Sequence, residues 1–405
     1  MTAPGTIPAF LAWTTSLVTA VPVLTLAAEC LAGSRRPAPP PEGIAPPFLV
    51  LMPAHDEAAG IEVCVRSVLA QLRPGDELIV VADNCSDDTG ARARTLGATV
   101  IERHEPALRG KGYALEFGRL FIAANRPAEG PASPQAVLII DADCLPDTGS
   151  LQALAATATR RQAAVQAVFL FDTPARPWER TSPIVRISSF AFLVKNLVRQ
   201  QALDRLAGAA LLHGSGMAFP RALFLKMHWS HSSLVEDLEM GLDLLLAGQP
   251  VVVEPAARVI SAASSVEGTG SQRRRWEHGM MQTACRYVPR LIFRALTRPA
   301  RGGWRLAVVA LDLIVPPTVL LALTSLVACA IVLLLAGATG PFLTLLTAQT
   351  AAVIGVARAW WVHGRAVLPL RHIFDLPGYF LWKLPLILQF VTRREREWTR
   401  TERLP

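Results

Sequence analysis

Three long stretches without a charged side chain constrain this chain more than anything else in it. Ile7 to Ala28 runs for 22 residues, Leu313 to Ala336 for 24 and Pro341 to Ala357 for 17. A helix of about 20 apolar residues crosses a hydrocarbon core of roughly 30 Å, so the pattern predicts three membrane spans. Trp360 and Trp361, just past the third, suit an interfacial belt. A fourth apolar stretch, Leu376 to Val391, has only 16 residues and contains Pro377, Lys383 and Pro385, which predicts an interfacial or re-entrant helix. With 51% hydrophobic and 18% charged residues, the 405-residue chain is too apolar for an ordinary soluble enzyme. Its mean hydropathy is +0.34. Three spans are too few for a polytopic transporter of this length, so the chain reads as a soluble domain carried on a few helices.

The basic residues give the orientation. Arg35 and Arg36 follow the first span, and no basic residue precedes it. Arg298, Arg301 and Arg305 come before the second, and Arg365, Arg371, Arg393 and Arg394 after the third. The positive-inside rule then puts the N-terminus outside, and the intervening domain and the C-terminus in the cytosol of a plasma (inner) membrane protein. Without a basic n-region, the first span does not read as a cleaved signal peptide. Arginines outnumber lysines 36 to four, and with the abundant alanine this suggests a GC-rich bacterial genome. Six cysteines without CxxC spacing read as free thiols of a reducing compartment. Residues 273–305 hold nine arginines against one acid, Glu277, a surplus of eight that equals the net charge of +8. The basicity belongs to one segment suited to anionic headgroups, so nucleic acid is not an expected partner.

Between the first two spans lie about 270 residues, enough for one large domain with its own core. It follows a Pro-rich linker, Pro37 to Pro47, that must run extended. Residues 48–52, 77–81, 98–101 and 136–140 are short apolar runs that read as buried strands, and helix-length segments at 57–70, 88–96 and 111–125 separate most of them. This alternation predicts an α/β domain with a parallel sheet covered on both faces. Such sheets bind ligands beyond the carboxyl ends of their strands, where the polar clusters 54–57, 83–88 and 141–144 stand.

The sharpest of these is Asp141-Ala-Asp143. Two converging carboxylates repel unless a cation joins them, and Mg²⁺ typically takes one or two protein carboxylates and fills its shell with phosphate oxygens. The same spacing also suits a turn with an Asp capping the next helix. Asp83, at the end of the second strand, is placed for a ligand, whereas Asp87 and Asp88 read as helix caps. Lys111, between Gly110 and Gly112 at a helix start, is placed to meet phosphate, although no P-loop is present. Glu236-Asp237 opens a helical pattern, where an acidic pair is favourable whatever its role. The glycines of His213-Gly-Ser-Gly-Met217, including Gly214 beside Ser215, permit close approach to the backbone, but the spacing is not a nucleophile elbow. In Gln272-Arg-Arg-Arg-Trp276, Gln272, Arg275 and Trp276 combine a planar guanidinium suited to diphosphate with an indole suited to a sugar face.

In this order, from about Phe48 to about Arg290, the residues resemble the membrane-embedded family-2 glycosyltransferases of the cellulose synthase-like and hyaluronan synthase-like group. The pattern is an acid after the second strand (Asp83), a DxD (Asp141, Asp143), an ED pair (Glu236-Asp237) and a QxxRW (Gln272, Arg275, Trp276). The resemblance implies a GT-A type, Rossmann-like nucleotide-sugar domain inserted between transmembrane helices and acting by single displacement with inversion. In that reading Asp83 contacts the base, with Glu57 and Lys111 near the nucleotide. Asp141 and Asp143 carry Mg²⁺ or Mn²⁺ and the diphosphate, and Asp237, beside Glu236, is the general base. Gln272, Arg275, Trp276, Gly214 and Ser215 lie at the diphosphate and acceptor. Two positions depart from the family pattern: His55-Asp56 stands where Tyr-Asn is frequent, and Val235 where Thr is.

The expected organisation is an N-terminal span in 1–33, a linker in 34–47, the GT-A domain in 48–270 and an Arg-rich interfacial segment in 271–305. Two spans follow in 306–361, then an interfacial helix and basic tail in 362–405. The expected function is transfer of a sugar from a nucleotide-sugar donor, a UDP-sugar, to a cell-surface polysaccharide or its lipid-linked precursor, with membrane lipids and polysaccharide-export subunits as further partners. Two alternatives stand beside it: a glycolipid synthase acting on ceramide, diacylglycerol or a hopanoid, and a non-catalytic scaffold of a synthase complex. Three spans make a single-chain polysaccharide channel cramped, which favours a non-processive or oligomeric enzyme.

Overall fold

A computed structural model describes residues 6–35, 45–126, 130, 133–171, 182–229, 235–261, 266–299, 302–337 and 339–392, without the side chains of Thr6, 266–275 and 386–392. Most of the Pro-rich linker (36–44) and the basic tail with Arg393 and Arg394 lie outside the described residues. In chain order the elements are α1 (Thr6–Gly33), β1 (Phe48–Ala54), α2 (Ile61–Leu69), β2 (Glu77–Asp83), α3 (Thr89–Thr95), β3 (Thr99–Arg103), α4 (Lys111–Asn125), β4 (Ala136–Ile139), β5 (Cys144–Pro146), α5 (Ser150–Arg161) and β6 (Ala164–Phe171). There follow α6 (Pro183–Leu193), a π-helical turn (Val194–Arg199), α7 (Gln200–Ala207), β7 (Met217–Pro220), α8 (Arg221–Lys226), α9 (Glu236–Leu246), β8 (Val251–Ser261), α10 (Val266–Thr297), α11 (Gly303–Leu313), α12 (Thr318–Ala336), α13 (Gly340–Ala359) and α14 (Leu376–Thr392).

The chain divides into two compact units, one drawn from 37–177 and 209–271, the other from 1–36, 178–208 and 272–395. The first is α/β. Its described strands form one sheet in the order β3-β2-β1-β4-β7-β6-β8-β5. The four apolar runs read from the sequence are β1 to β4 and pair in parallel. Of the rest, β6 and β8 also pair in parallel, but β7 runs antiparallel to both β4 and β6, and β5 antiparallel to β8, which departs from the expected all-parallel sheet. A mixed sheet results, whose parallel half keeps the carboxyl ends of β1, β2 and β4 on one edge. Burial of both faces of these strands explains their near-continuous apolar sequence. Leu51, Ile79, Ile139, Phe219 and Trp229 are among the fully buried side chains of this core.

The second unit is helical. Three of its helices are long and apolar enough to cross a membrane: Ile7–Gly33, Thr318–Ala336 and Gly340–Gly364. The expected start of the second at Leu313 moves to Thr318, because Pro316 and Pro317 separate α12 from α11, which ends at Leu313 and buries Asp312. The third runs on past Ala357 through a π-helical turn, Trp360–Gly364. α6 and α7, within the stretch expected to belong wholly to the soluble domain, group with these helices. Arg199, on the π-helical turn before α7, is buried between two carboxylates: its Nε stands 2.7 Å from Glu29 of α1 and its Nη2 2.8 Å from Asp312 of α11. α1 and α13 approach closely at Gly355, where a Cβ would lie 3.0 Å from the carbonyl oxygen of Ala27. Ser16 Oγ donates to the Pro341 carbonyl at 2.8 Å.

Candidate active site

The carboxyl edge of the parallel half collects the polar residues of the α/β unit. β4 ends at Ile139, and the turn after it carries Asp141 and Asp143. Asp141 donates its backbone N–H to Ser215 Oγ at 3.1 Å, and one of its carboxylate oxygens lies 2.5 Å from Lys111 Nζ. Lys111 is the first residue of α4, after Gly110 at φ +128°, and its ammonium also donates to the Gly214 carbonyl at 2.6 Å. Glu236 and Asp237 open α9 from the other side. Gly214, at φ +91°, is the meeting point: a Cβ there would stand 3.0 Å from Asp237 Oδ2 and 3.4 Å from Lys111 Nζ. The structure thus brings Lys111, Asp141, Gly214, Ser215, Glu236 and Asp237 together.

Their charges act on one another. Burial works against the Lys111 ammonium, but the carboxylates of Asp141, Glu236 and Asp237 outweigh it and hold its pKa above the ordinary lysine value. Burial, and next the Asp237 charge, push Glu236 up to about 7. Burial also raises Asp237, against the pull of Lys111. A carboxylate lifted in this way is a better proton acceptor near neutral pH than an ordinary Asp.

One oxygen of Asp141, one of Asp143 and the Cys144 sulfur lie within 4.8 Å of one another. Two carboxylates from one turn form a hard oxygen donor set that fits Mg²⁺ or Mn²⁺. The Cys144 thiol donates to Asp143 Oδ1 at 3.1 Å.

Asp83 ends β2 and is buried; its Oδ1 accepts from Arg103 Nη1 at 2.5 Å and from Asn84 Nδ2 at 3.1 Å. Glu57 lies in the turn after β1, where its N–H donates to Thr89 Oγ1 at 2.8 Å. Of the two expected helix caps, Asp88 makes no side-chain cap bond and pairs with Arg92 at 2.9 Å. Asp87 does accept from the Thr89 N–H at the start of α3, and it also accepts from the backbone of Ala58, so it ties the first and second strand-end loops together. Gln272 and Arg275 sit on α10 with side chains outside the described residues; the Trp276 indole stacks on Phe192 of α6, centroids 5.7 Å apart.

Two residues of the site went unread in the sequence. Arg103 partners Asp83 through the parallel register that sets these residues side by side on β3 and β2, which no local pattern reveals. Gln166 is fully buried on β6. Its amide donates to the Ser215 carbonyl at 2.8 Å, and its oxygen accepts from His213 N–H at 2.8 Å, fixing the 213–217 loop. A lone amide inside the apolar run Ala-Val-Gln-Ala-Val was its only signal.

The family model of glycosyltransferase-like family 2 matches residues 46–279. Among solved structures, a mannosyltransferase from Pyrobaculum calidifontis in complex with GDP-Man and Mn²⁺ is similar over 95% of this chain and 100% of its own, at 19% identity and a TM-score of 0.57. Glucosyl-3-phosphoglycerate synthase from Mycobacterium tuberculosis matches over 57% of this chain in two complexes. One holds Mn²⁺, UDP and phosphoglyceric acid (22% identity, 76% of that chain, TM-score 0.36) and the other Mg²⁺ and UDP (23%, 77%, 0.37). No curated protein matches the chain. The sheet of the α/β unit is of the GT-A kind, and a family match across more than half the chain covers every acid gathered at its edge. This chain belongs to glycosyltransferase-like family 2.

Proposed function

We propose that the protein is a metal-dependent inverting hexosyltransferase at the cytosolic face of a bacterial inner membrane, moving a sugar from a UDP-sugar to a cell-surface polysaccharide or its lipid-linked precursor. The observation that carries this reading is the convergence of Asp237 and Lys111 on Gly214, with Lys111 paired to Asp141. In it a proton acceptor with raised pKa stands beside an ammonium and a carboxylate pair suited to a divalent cation. Asp141 and Asp143 would hold Mg²⁺ or Mn²⁺, which when bound offsets the charge of the donor diphosphate. Asp237 takes the proton of the acceptor hydroxyl as its oxygen bonds to the anomeric carbon and the bond to the diphosphate oxygen breaks. The departing nucleoside diphosphate gains negative charge, and Lys111 is the cation beside Asp141 that receives it. Asp83 and Glu57, at the neighbouring strand ends, are proposed to line the nucleoside side, with Asp83 held in place by Arg103.

The test is a panel of labelled sugar nucleotides incubated with membranes, with and without Mg²⁺ or Mn²⁺, followed by separation of lipid extract from water-soluble polymer. Metal-dependent UDP release with label in polymer or in a lipid-linked oligosaccharide is the expected result. Label confined to a glycolipid overturns the polysaccharide assignment, and absence of nucleotide release with every donor overturns the enzymatic one.

A further inference from the structure

At the amino-terminal edge of the parallel strands, opposite Asp83 and Asp141, the α/β unit has a groove of about 360 Å³ lined by Ser133, Gln135, Thr159, Gln162 and Arg221 among others. Gln135 directly precedes β4, and Arg221 directly follows its antiparallel neighbour β7; the two join through Arg221 N–H donating to the Gln135 carbonyl at 2.9 Å. β4 therefore separates the groove from the Asp141 turn by its whole length, about 13 Å at 3.3 Å per residue.

Arg221 is the unusual member. It is only 7% exposed, and of its guanidinium nitrogens Nη2 donates to the Arg126 carbonyl at 2.9 Å, while Nε and Nη1 have no hydrogen-bond partner among the described residues. No carboxylate among those residues offsets its charge: burial alone acts on its pKa, lowering it. Two other buried arginines are compensated. Arg103 pairs with Asp83, and Arg199 with both Glu29 and Asp312. A guanidinium stays charged at any physiological pH, and a buried charge without a partner is strongly unfavourable unless an anion or a hydrogen-bonding ligand completes it. The groove beside it carries the Gln135 amide and that of Gln162, whose Nε2 donates one hydrogen to the Thr159 carbonyl at 2.7 Å and has a second to give, and it has enough volume for a small organic anion.

We propose that this groove is a second ligand site, separate from the donor site, that binds a phosphate-bearing small anion through the fork of Arg221, with the Gln162 and Gln135 amides alongside. The planar fork suits two phosphate oxygens at once, and Gln162, whose backbone is held at φ +47°, closes the end of α5 at the rim.

The test uses the full-length protein in detergent with EDTA present, so that metal-assisted diphosphate binding at the donor site is suppressed. Inorganic phosphate titrated by calorimetry is expected to bind wild type and Asp143→Asn alike, and at least tenfold more weakly to Arg221→Gln. Equal affinity in Arg221→Gln, or loss of binding in Asp143→Asn, overturns the proposal. Should Arg221→Gln fail to fold, Gln162→Glu serves instead: a carboxylate at the rim is expected to raise the melting temperature in phosphate-free buffer and to abolish the further rise that phosphate gives the wild type. A Gln162→Glu protein that phosphate stabilises as it does the wild type counts equally against the site.

Discussion

Lys111 and Gly214 shape the candidate site between them. The lysine pairs with Asp141 and donates to the Gly214 carbonyl, and the missing side chain of that glycine leaves the space in which Asp237 stands close to the same lysine. With Asp237 as the proposed general base, Asp237→Asn is expected to lower kcat by about 10²- to 10⁴-fold, with donor KM little changed in nucleotide-release assays. Because burial raises the Asp237 pKa, the wild-type kcat/KM in the same assay should fall as pH drops through a value above that of an ordinary Asp. Glu236 gives a stability signature. Its carboxyl rises from 4.5 to about 7 on folding, so between those values the folded state holds more protons than the unfolded one. Stability then decreases as pH rises through that window. Melting temperatures of Glu236→Gln against pH should show a flatter decline there than wild type. Gly214→Ala forces a side chain into a left-handed backbone at a cost of roughly 1–2 kcal/mol and presses on Asp237. A kcat loss of about 10²-fold from misplacement is expected without loss of metal binding. At this scale the sequence is most legible where polar residues end apolar strands, as with Asp83 and Asp141, or open a helix beside glycine or an acidic neighbour, as with Lys111 and Asp237. It is silent on Arg103, whose partner Asp83 is set beside it by strand register, and on Gln166, whose partners lie in the distant 213–217 loop.

The elements divide in the same way. β1 to β4 were readable because strands buried on both faces must be continuously apolar, and their helices because each fills the span between two such runs. β5 has three residues and β7 four, too short for any period to register, so the antiparallel pairings they make, and the mixed sheet that results, are not legible in the sequence. Proline punctuated the helices more sharply than charge did: Pro316 and Pro317 divide what hydropathy alone joined. Charge instead fastens helix to helix, as Arg199 shows. Arg199→Met leaves Glu29 and Asp312 buried without their cation, which is expected to cost about 3–5 kcal/mol, read as a lowered melting temperature in detergent. Adding Glu29→Gln and Asp312→Asn to that variant removes the stranded charges and should recover most of the loss, which separates the effect of charge from that of packing.

At the scale of the whole molecule, neither unit is a continuous piece of chain. Cutting the protein to residues 37–271 removes the spans but keeps α6 and α7, whose buried side chains Ile187, Phe192 and Leu203 belong to the helical unit. Ile187 packs in a cluster with Val319, Leu368 and Tyr379, all lost in the cut. The fragment is therefore expected to aggregate without detergent in size-exclusion chromatography, whereas a 37–177 and 209–271 fusion through a short Gly-Ser bridge should stay monomeric. This division escapes the sequence because α6 and α7 carry no span-length apolar run, and partners such as Trp276 of α10 and Val319 of α12 lie far along the chain. The close pairing of α1 with α13 has a consequence in time. Ser16 and Pro341 are separated by 325 residues, and synthesis at about 5–20 residues per second takes roughly 15–65 s to bring the second into existence after the first. For that interval α1 lacks α13 as a partner, and as a membrane span it would have to hold its place by its own apolarity. The first helix is long and apolar enough to cross a membrane by itself, as are the two that later pack on it, and the packing of the three on one another can be completed only late in translation.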